Sequence, residues 1–178
     1  MKKTGTHAYF PILIDVRRLP CLVVGGGRVA LRKVRSLVEF NATITVVSPE
    51  MCAGLTKLSK AGRSTVIKKR YCASFLNGHK IVFSATDTKE INRVVSHGCR
   101  RRGILLNVAD GPTWCDFILP ANLKRGDLPV SVSSQGKAPF FNKDTKRKLE
   151  DFLTPSLLDT AKLAGEFRRG ILSKGIRM

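Results

Sequence analysis

Gly25, Gly27 and Ala30 stand at the spacing G-x-G-x-x-A, directly after the apolar run Cys21-Leu22-Val23-Val24. A strand that ends in glycines and passes at once into a helix leaves unpaired N–H groups at the helix start. With the helix dipole, those groups bind an anion, and a pyrophosphate in particular. In this reading Gly25 makes the turn, Gly27 allows close backbone approach, and Ala30 lets helix and strand meet. A tight strand–helix connection with no ligand uses the same residues, so the motif alone leaves that alternative open. A second kind of chemistry is offered by Asp110, which follows the apolar run Ile104–Ala109 and precedes Gly111-Pro112. An ionised carboxylate where the backbone leaves a sheet is suited to moving a proton. It is equally suited to closing a turn by accepting nearby N–H groups. Asp87 reads as a helix cap.

Placing these residues requires alternating strands and helices. The segment Arg28–Phe40 puts Val29, Ala30, Val34, Leu37 and Val38 on one helical face, with Arg28, Arg32, Lys33 and Arg35 read as lying elsewhere. Asn41 is suited to closing that helix in the left-handed conformation. Thr43–Val47 reads as a second strand, and Ser48-Pro49 as an N-cap and first helical position of a short helix that Gly62 ends. Thr65–Arg70 and Lys80–Ala85 read as strands, with Thr86-Asp87 capping a helix that bears Ile91, Val94, Val95 and Cys99. Gly103 stops it, and Ile104–Ala109 is the fifth strand. Such alternation predicts an α/β fold, a Rossmann-like and mostly parallel sheet covered on both faces. After Pro112 the pattern changes. Phe117–Leu123 and Leu128–Ser134 read as a hairpin joined by Lys124–Asp127, with no evident partner inside so small a chain. From Pro139 the pattern is helical, broken at Thr154-Pro155. Leu157, Leu158, Ala161, Ala164, Phe167 and Ile171 then form an apolar stripe. The expected division is a nucleotide-binding domain at 1–113, a hairpin dimerisation region at 114–149 and a short carboxyl-terminal helical region at 150–178.

The chain has 178 residues and a formal net charge of +19, which calls for an anionic partner. The basic residues fall in short clusters, such as Lys68–Arg70 and Arg100–Arg102, without the interleaved aromatics of a base-stacking surface. The five cysteines are scattered, with no C-x-x-C, so neither a disulfide framework nor a metal site is expected. A reducing cytoplasm is the setting this implies. No apolar run is long enough to span a bilayer, and Thr4–Tyr9, after the basic Met1-Lys2-Lys3, is polar with no apolar stretch, so a secretory leader is not expected.

In an open α/β sheet, ligands bind beyond the carboxyl ends of the strands. Here those ends carry Gly25–Arg28, Ser48–Glu50, Thr86-Asp87 and Asn107–Asp110. The ribose-gripping acid expected ~20 residues beyond the glycines is not clean, since Ser48 precedes Glu50 by two. Arg28 and Arg32 leave a phosphorylated ribose open. Further blocks join the set, namely Tyr9-Phe10-Pro11-Ile12, Ser84-Ala85-Thr86-Asp87, Asn92-Arg93, Asn107-Val108-Ala109-Asp110, Cys115–Ala121 and Ser133–Pro139. With them, roughly residues 9–150 resemble the precorrin-2 dehydrogenase/sirohydrochlorin ferrochelatase family, which also forms the amino-terminal module of sirohaem synthase.

That resemblance implies a homodimer that moves a hydride from precorrin-2 to NAD⁺, giving sirohydrochlorin, with Fe²⁺ inserted afterwards in some members. It implies that Asp110 is the proton-handling residue. Cofactor contacts fall on Gly25, Gly27, Arg28, Val29, Pro49 and Glu50, and Thr86 and Asp87 are assigned to the cofactor as well. Asn107, Ser134, Lys137 and Lys143 are assigned to the substrate, a polycarboxylate tetrapyrrole that gives the excess of Lys and Arg a concrete partner. Neither nucleic acid nor membrane is expected as a partner. Two departures touch the region expected to cover the tetrapyrrole. Phe140-Phe141-Asn142-Lys143 replaces small apolar residues and an arginine, and the carboxyl-terminal helical region reads as short. Two other classes stay in view: a non-enzymatic nucleotide-sensing module, which leaves Asn107–Asp110 and the hairpin unexplained, and a nucleic-acid binder, motivated by charge alone. A Tyr-x-x-x-Lys dehydrogenase is excluded, since Tyr9 and Tyr71 are followed four residues on by Leu13 and Phe75.

Overall fold

A computed structural model describes residues 8–175. The amino-terminal stretch read for a leader lies mostly outside them. The described chain forms two compact units, one from Phe10 to Phe117 and one from Ile118 to Gly175 that also takes in Ala8 and Tyr9.

In the first unit, β1 (Cys21–Val24), β2 (Ile44–Val47), β3 (Thr65–Ile67), β4 (Ile81–Ser84) and β5 (Leu105–Val108) form one parallel sheet in the order β3-β2-β1-β4-β5. Alternation along β1 divides the core. Cys21 and Val23 face one side with Ala30, Val34 and Leu37 of α1 (Arg28–Glu39) and Leu55 of α2 (Ala53–Lys60). Leu22 and Val24 face the other, with Val95 and Cys99 of α3 (Lys89–Arg102). All four β1 residues are buried, as a strand covered on both faces requires. Each such Val or Leu contributes about 1.5–3 kcal/mol by leaving water. Burial also pushes the thiols of Cys21 and Cys99 up to about 11, so both stay protonated and inert at neutral pH.

Three local expectations are corrected. The helix after β2 begins at Ala53, with Cys52 as N-cap, rather than at Ser48-Pro49. The Cys52 N–H donates to the Gly26 carbonyl at 2.8 Å, which draws residues 48–52 across the glycine turn as a bend without helix and overrides the Pro signal. The cap of α3 is Thr88, not Thr86-Asp87. The Thr86 hydroxyl instead accepts from the Thr88 N–H, and the buried Asn92 amide donates to the Thr86 carbonyl, fixing a turn there. Val94 is exposed, and Asn92 takes the inward place. Gly103 ends α3 at φ 63°, and Asn41 follows α1 at φ 55°, both left-handed as read.

In the second unit, β6 (Ala121–Arg125) and β7 (Leu128–Val132) pair antiparallel around the two-residue turn Gly126-Asp127. That turn is shorter than the expected Lys124–Asp127, because Lys124 and Arg125 pair with Pro129 and Leu128. In a two-stranded ribbon every strand is an edge, which accommodates Pro129. The hairpin does have a partner in its own unit, since α4 (Pro139–Phe152) lies against both strands. Thr154 caps α5 (Pro155–Ser173), its hydroxyl accepting from the Leu157 N–H. This 19-residue helix buries none of its residues.

Candidate active site

The glycine turn divides its work differently from the sequence reading. Gly25 sits at φ +128°, and a side chain there would meet the Ala85 carbonyl, so it serves both the turn and the close approach of β1 to β4. Gly26, not singled out beforehand, lies against the Glu50 carbonyl and 2.9 Å, measured from an added Cβ, from the Ser48 hydroxyl. It is what holds Pro49 and Glu50 beside the turn. A Cβ on Gly27 would meet nothing within 4 Å. Gly27 is also the N-cap of α1, with no side-chain cap bond. The first N–H groups of α1 therefore face open space at the end of β1, beside Arg28 and Val29. A pyrophosphate fits such a cradle. Sheet order reverses between β1 and β4, and Gly25 and Thr86 meet at that point.

Asp110 lies beyond the end of β5, next to β4, because the Ala109 N–H donates to the Ser84 carbonyl at 2.9 Å. Its carboxylate is exposed, and among the described residues no hydrogen bond to it is formed. The turn is closed by other groups. Cys115 Sγ accepts from the Val108 N–H at 3.1 Å and lies 3.3 Å from the Val108 carbonyl. The Asp116 carboxylate accepts from the Leu106 N–H at 2.9 Å, while the Asp116 N–H donates to the Leu106 carbonyl. Residues 115–117 thus fold back along β5 and cover the open sheet edge. A turn-closing role is taken by Cys115 and Asp116, leaving the Asp110 carboxylate uncommitted.

Asn107 is buried within β5 rather than facing outward. It pairs in register with Phe83, its Nδ2 donates to the Phe117 carbonyl at 2.9 Å, and its Oδ1 accepts from Lys33 Nζ at 2.9 Å. Lys33 lies against the sheet, not off the apolar face of α1 as its residue type predicts. It is half-buried, with its ammonium 5.9 Å from the Phe83 ring centroid. The signal was available, because Val29, Lys33 and Leu37 recur every fourth residue on one face. Burial, with Arg32 nearby, lowers the Lys33 pKa.

The structure thus brings together Gly25, Gly27, Arg28, Val29, Pro49, Glu50, Thr86, Asp87 and Asp110 around the strand ends of the first unit. In the second unit, the Ser134 hydroxyl accepts from the Ala138 N–H at 2.8 Å, and Lys137 and Lys143 are exposed. Among the described residues no cluster could hold a metal ion.

An uncapped helix start behind a glycine cradle, at the order reversal of a doubly wound parallel sheet, defines a dinucleotide-binding module. Residues 12–121 match the model of the family described as "Putative NAD(P)-binding". The chain belongs to that NAD(P)-binding family. It is 35% identical over 170 residues to the siroheme synthase of Vesicomyosocius okutanii, covering 96% of this chain and 36% of that protein. With the siroheme synthase of Methylobacillus flagellatus it shares 39% over 161 residues, 90% of this chain and 34% of that one. It spans about a third of the length of these curated relatives. Among solved structures it is similar to SirC, a precorrin-2 dehydrogenase, at TM-score 0.72 and 25% identity, covering 89% of this chain and 78% of that one.

Proposed function

We propose that this protein is an NAD-dependent precorrin-2 dehydrogenase of siroheme biosynthesis. The observation that carries the proposal is the pairing of an open pyrophosphate cradle at Gly27 with a free carboxylate at Asp110, both at strand ends on one edge of the sheet. The siroheme synthase relatives and the likeness to SirC support it. Bound NAD⁺ supplies the hydride acceptor. Gly25 and Gly27 bring backbone N–H groups to its pyrophosphate, and Arg28 and Val29 open the helix whose dipole favours that charge. Pro49, Glu50, Thr86 and Asp87 border the same edge. As the hydride leaves precorrin-2, a proton must leave as well, and Asp110 is the base that receives it. Asn107 serves from below, by holding the segment that follows Asp110. Ser134, Lys137 and Lys143 receive carboxylates of the tetrapyrrole.

Anaerobic incubation with precorrin-2 and NAD⁺ tests the reading: the sirohydrochlorin chromophore appears and one NADH forms per molecule. Absence of both ends the proposal. Fe²⁺ added afterwards tests metal insertion as a second step on the same substrate. NADP⁺ in place of NAD⁺ lowers kcat/KM by about tenfold or more, since the Glu50 carboxylate opposes a 2′-phosphate. A preference for NADP⁺ removes Glu50 from the ribose site.

The active form is a homodimer assembled through the hairpin region and the carboxyl-terminal helices. Supporting this, α5 buries none of its residues, and Phe140, Phe141, Phe152, Leu163 and Phe167 are each at least 65% exposed. So much apolar surface on one small unit marks an interface. Sedimentation equilibrium at micromolar concentration gives twice the chain mass; an active monomer refutes it. The free state of all five cysteines fits work in the cytoplasm, and among the described residues no helix is long and apolar enough to cross a membrane.

A further inference from the structure

Lys33 is an ammonium held between α1 and the sheet. Among the described residues no carboxylate lies within ion-pair distance of it; it donates to the Asn107 amide oxygen, lies over the face of Phe83, and has Arg32 and the Cys115 thiol nearby. Taking a cation out of water without a counter-ion is costly, and a leucine or methionine would fill the same place at less cost. Stability therefore does not explain it.

Its chemistry does point to a use. A lysine ammonium has three donors and no acceptor. Opposite such a group, a carboxamide can present only its oxygen, so Lys33, together with the acceptor-only Phe117 carbonyl on the other side, holds the Asn107 amide in one orientation. With Oδ1 committed to Lys33 at 2.9 Å, Nδ2 must face the Phe117 carbonyl, to which it donates at 2.9 Å, with Cys115 Sγ at 3.8 Å. The Phe117 ring meets that of Phe83 edge-on, with centroids 5.6 Å apart. These contacts anchor the far end of the loop whose near end is tied by the Ala109–Ser84 hydrogen bond and which carries Asp110. Six residues before Lys33, α1 opens at Gly27, where the proposed pyrophosphate cradle is. One side chain thus joins the helix that holds the cofactor to the loop that holds the base.

We infer that Lys33 is a positioning residue for the reaction: by setting the orientation of the Asn107 amide, it fixes the Asp110 loop relative to the dinucleotide-binding helix. The inference rests on the role proposed for Asp110, but the loop anchoring can be read separately. Trp114 is the chain's only tryptophan and sits in the loop itself, in the short 3-10 helix Pro112–Trp114, packed on the core beside Val108 and Gly111. Its fluorescence reports the loop whether or not any substrate turns over.

Lys33→Met keeps the length and apolar stem of the side chain and removes the donors. Expected are a kcat about 10²-fold lower, as a misplacement of the order of an ångström produces, with KM for precorrin-2 and Kd for NAD⁺ within about threefold of wild type. Acrylamide quenching of Trp114 rises about twofold, as a loop released from its anchor becomes more accessible. Melting temperature falls by only a few degrees, because relief of the half-buried cation offsets part of the cost of leaving the buried Asn107 Oδ1 without its donor. Lys33→Arg, also donor-only, restores kcat to within about tenfold of wild type. Should the methionine variant fail to fold, Lys33→Gln is used; it offers the amide a donor and an acceptor alike, so the same loosening of Trp114 is expected. Wild-type kcat with unchanged Trp114 quenching in the folded variant overturns the inference. So does a kcat loss that merely tracks a lost folded fraction, or one that appears in NAD⁺ affinity instead. Failure of the wild-type protein to oxidise precorrin-2 overturns the proposed function instead, and Trp114 quenching then decides the anchoring by itself.

Discussion

On the role proposed for Asp110, Asp110→Asn is expected to lower the single-turnover rate of precorrin-2 oxidation by on the order of 10²–10⁴, the size of a general acid–base contribution. That corresponds to about 3–5.5 kcal/mol of barrier. An amide matches the carboxylate in shape but cannot take up the proton that must leave the macrocycle. Affinity for NAD⁺ is unchanged, because the cradle at Gly25–Val29 belongs to β1 and α1. Stability is unchanged within about 0.5 kcal/mol, since the Asp110 carboxylate is exposed and makes no hydrogen bond among the described residues. This is where the two readings of Asp110 part. A turn-closing aspartate would lose stability on substitution and keep its rate per folded molecule. Cys115 and Asp116 already close that turn through the backbone of Val108 and Leu106. Melting temperature, NAD⁺ affinity and single-turnover rate measured on one preparation decide the matter. A variant that turns over within a few-fold of wild type removes Asp110 from the mechanism.

The neighbouring glycines are expected to respond in opposite ways to one added methyl group. Gly27→Ala places that methyl in open space, at an ordinary φ of −88°. Stability changes by less than about 1 kcal/mol, and the stiffer unfolded chain favours a gain. The methyl stands where a pyrophosphate must approach the helix start, however. Losing one charge-assisted hydrogen bond there, about 1.5–3 kcal/mol, weakens NAD⁺ binding on the order of 10- to 100-fold. Gly26→Ala does the reverse. Its methyl meets the Glu50 carbonyl and the Ser48 hydroxyl, so backbone must move. The cost is about 1–3 kcal/mol, a fall in Tm of roughly 2–12 °C for a chain of this size. Calorimetric titration with NAD⁺ and thermal melts on both variants check the contrast. Unaltered NAD⁺ affinity in Gly27→Ala would show that the cradle does not hold the cofactor.

The sheet, its covering helices and the place of the glycine turn were legible in the sequence, for a local reason. Buried parallel strands must be apolar throughout, helices must repeat every three to four residues, and a turn at positive φ selects glycine; each constraint acts within a few residues. The same locality made Asp110 visible as a residue at a strand's end. What could not be read was which groups meet across the chain. Ser48-Pro49 carries a sound helix-start signal, yet the segment bends without forming helix because Cys52 bonds to Gly26, 26 residues earlier. Thr86-Asp87 carries a cap signal, yet Asn92 supplies the bond that shapes the turn. Lys33 had the spacing of a core position and the type of a surface residue, and type prevailed in the reading. Only its partner 74 residues away, Asn107, explains why a cation is kept there. Local composition determined the elements and their order. The free state of the Asp110 carboxylate, the open space at Gly27 and the link through Lys33 were decided by tertiary contacts, since each depends on where a distant backbone carbonyl or amide comes to lie.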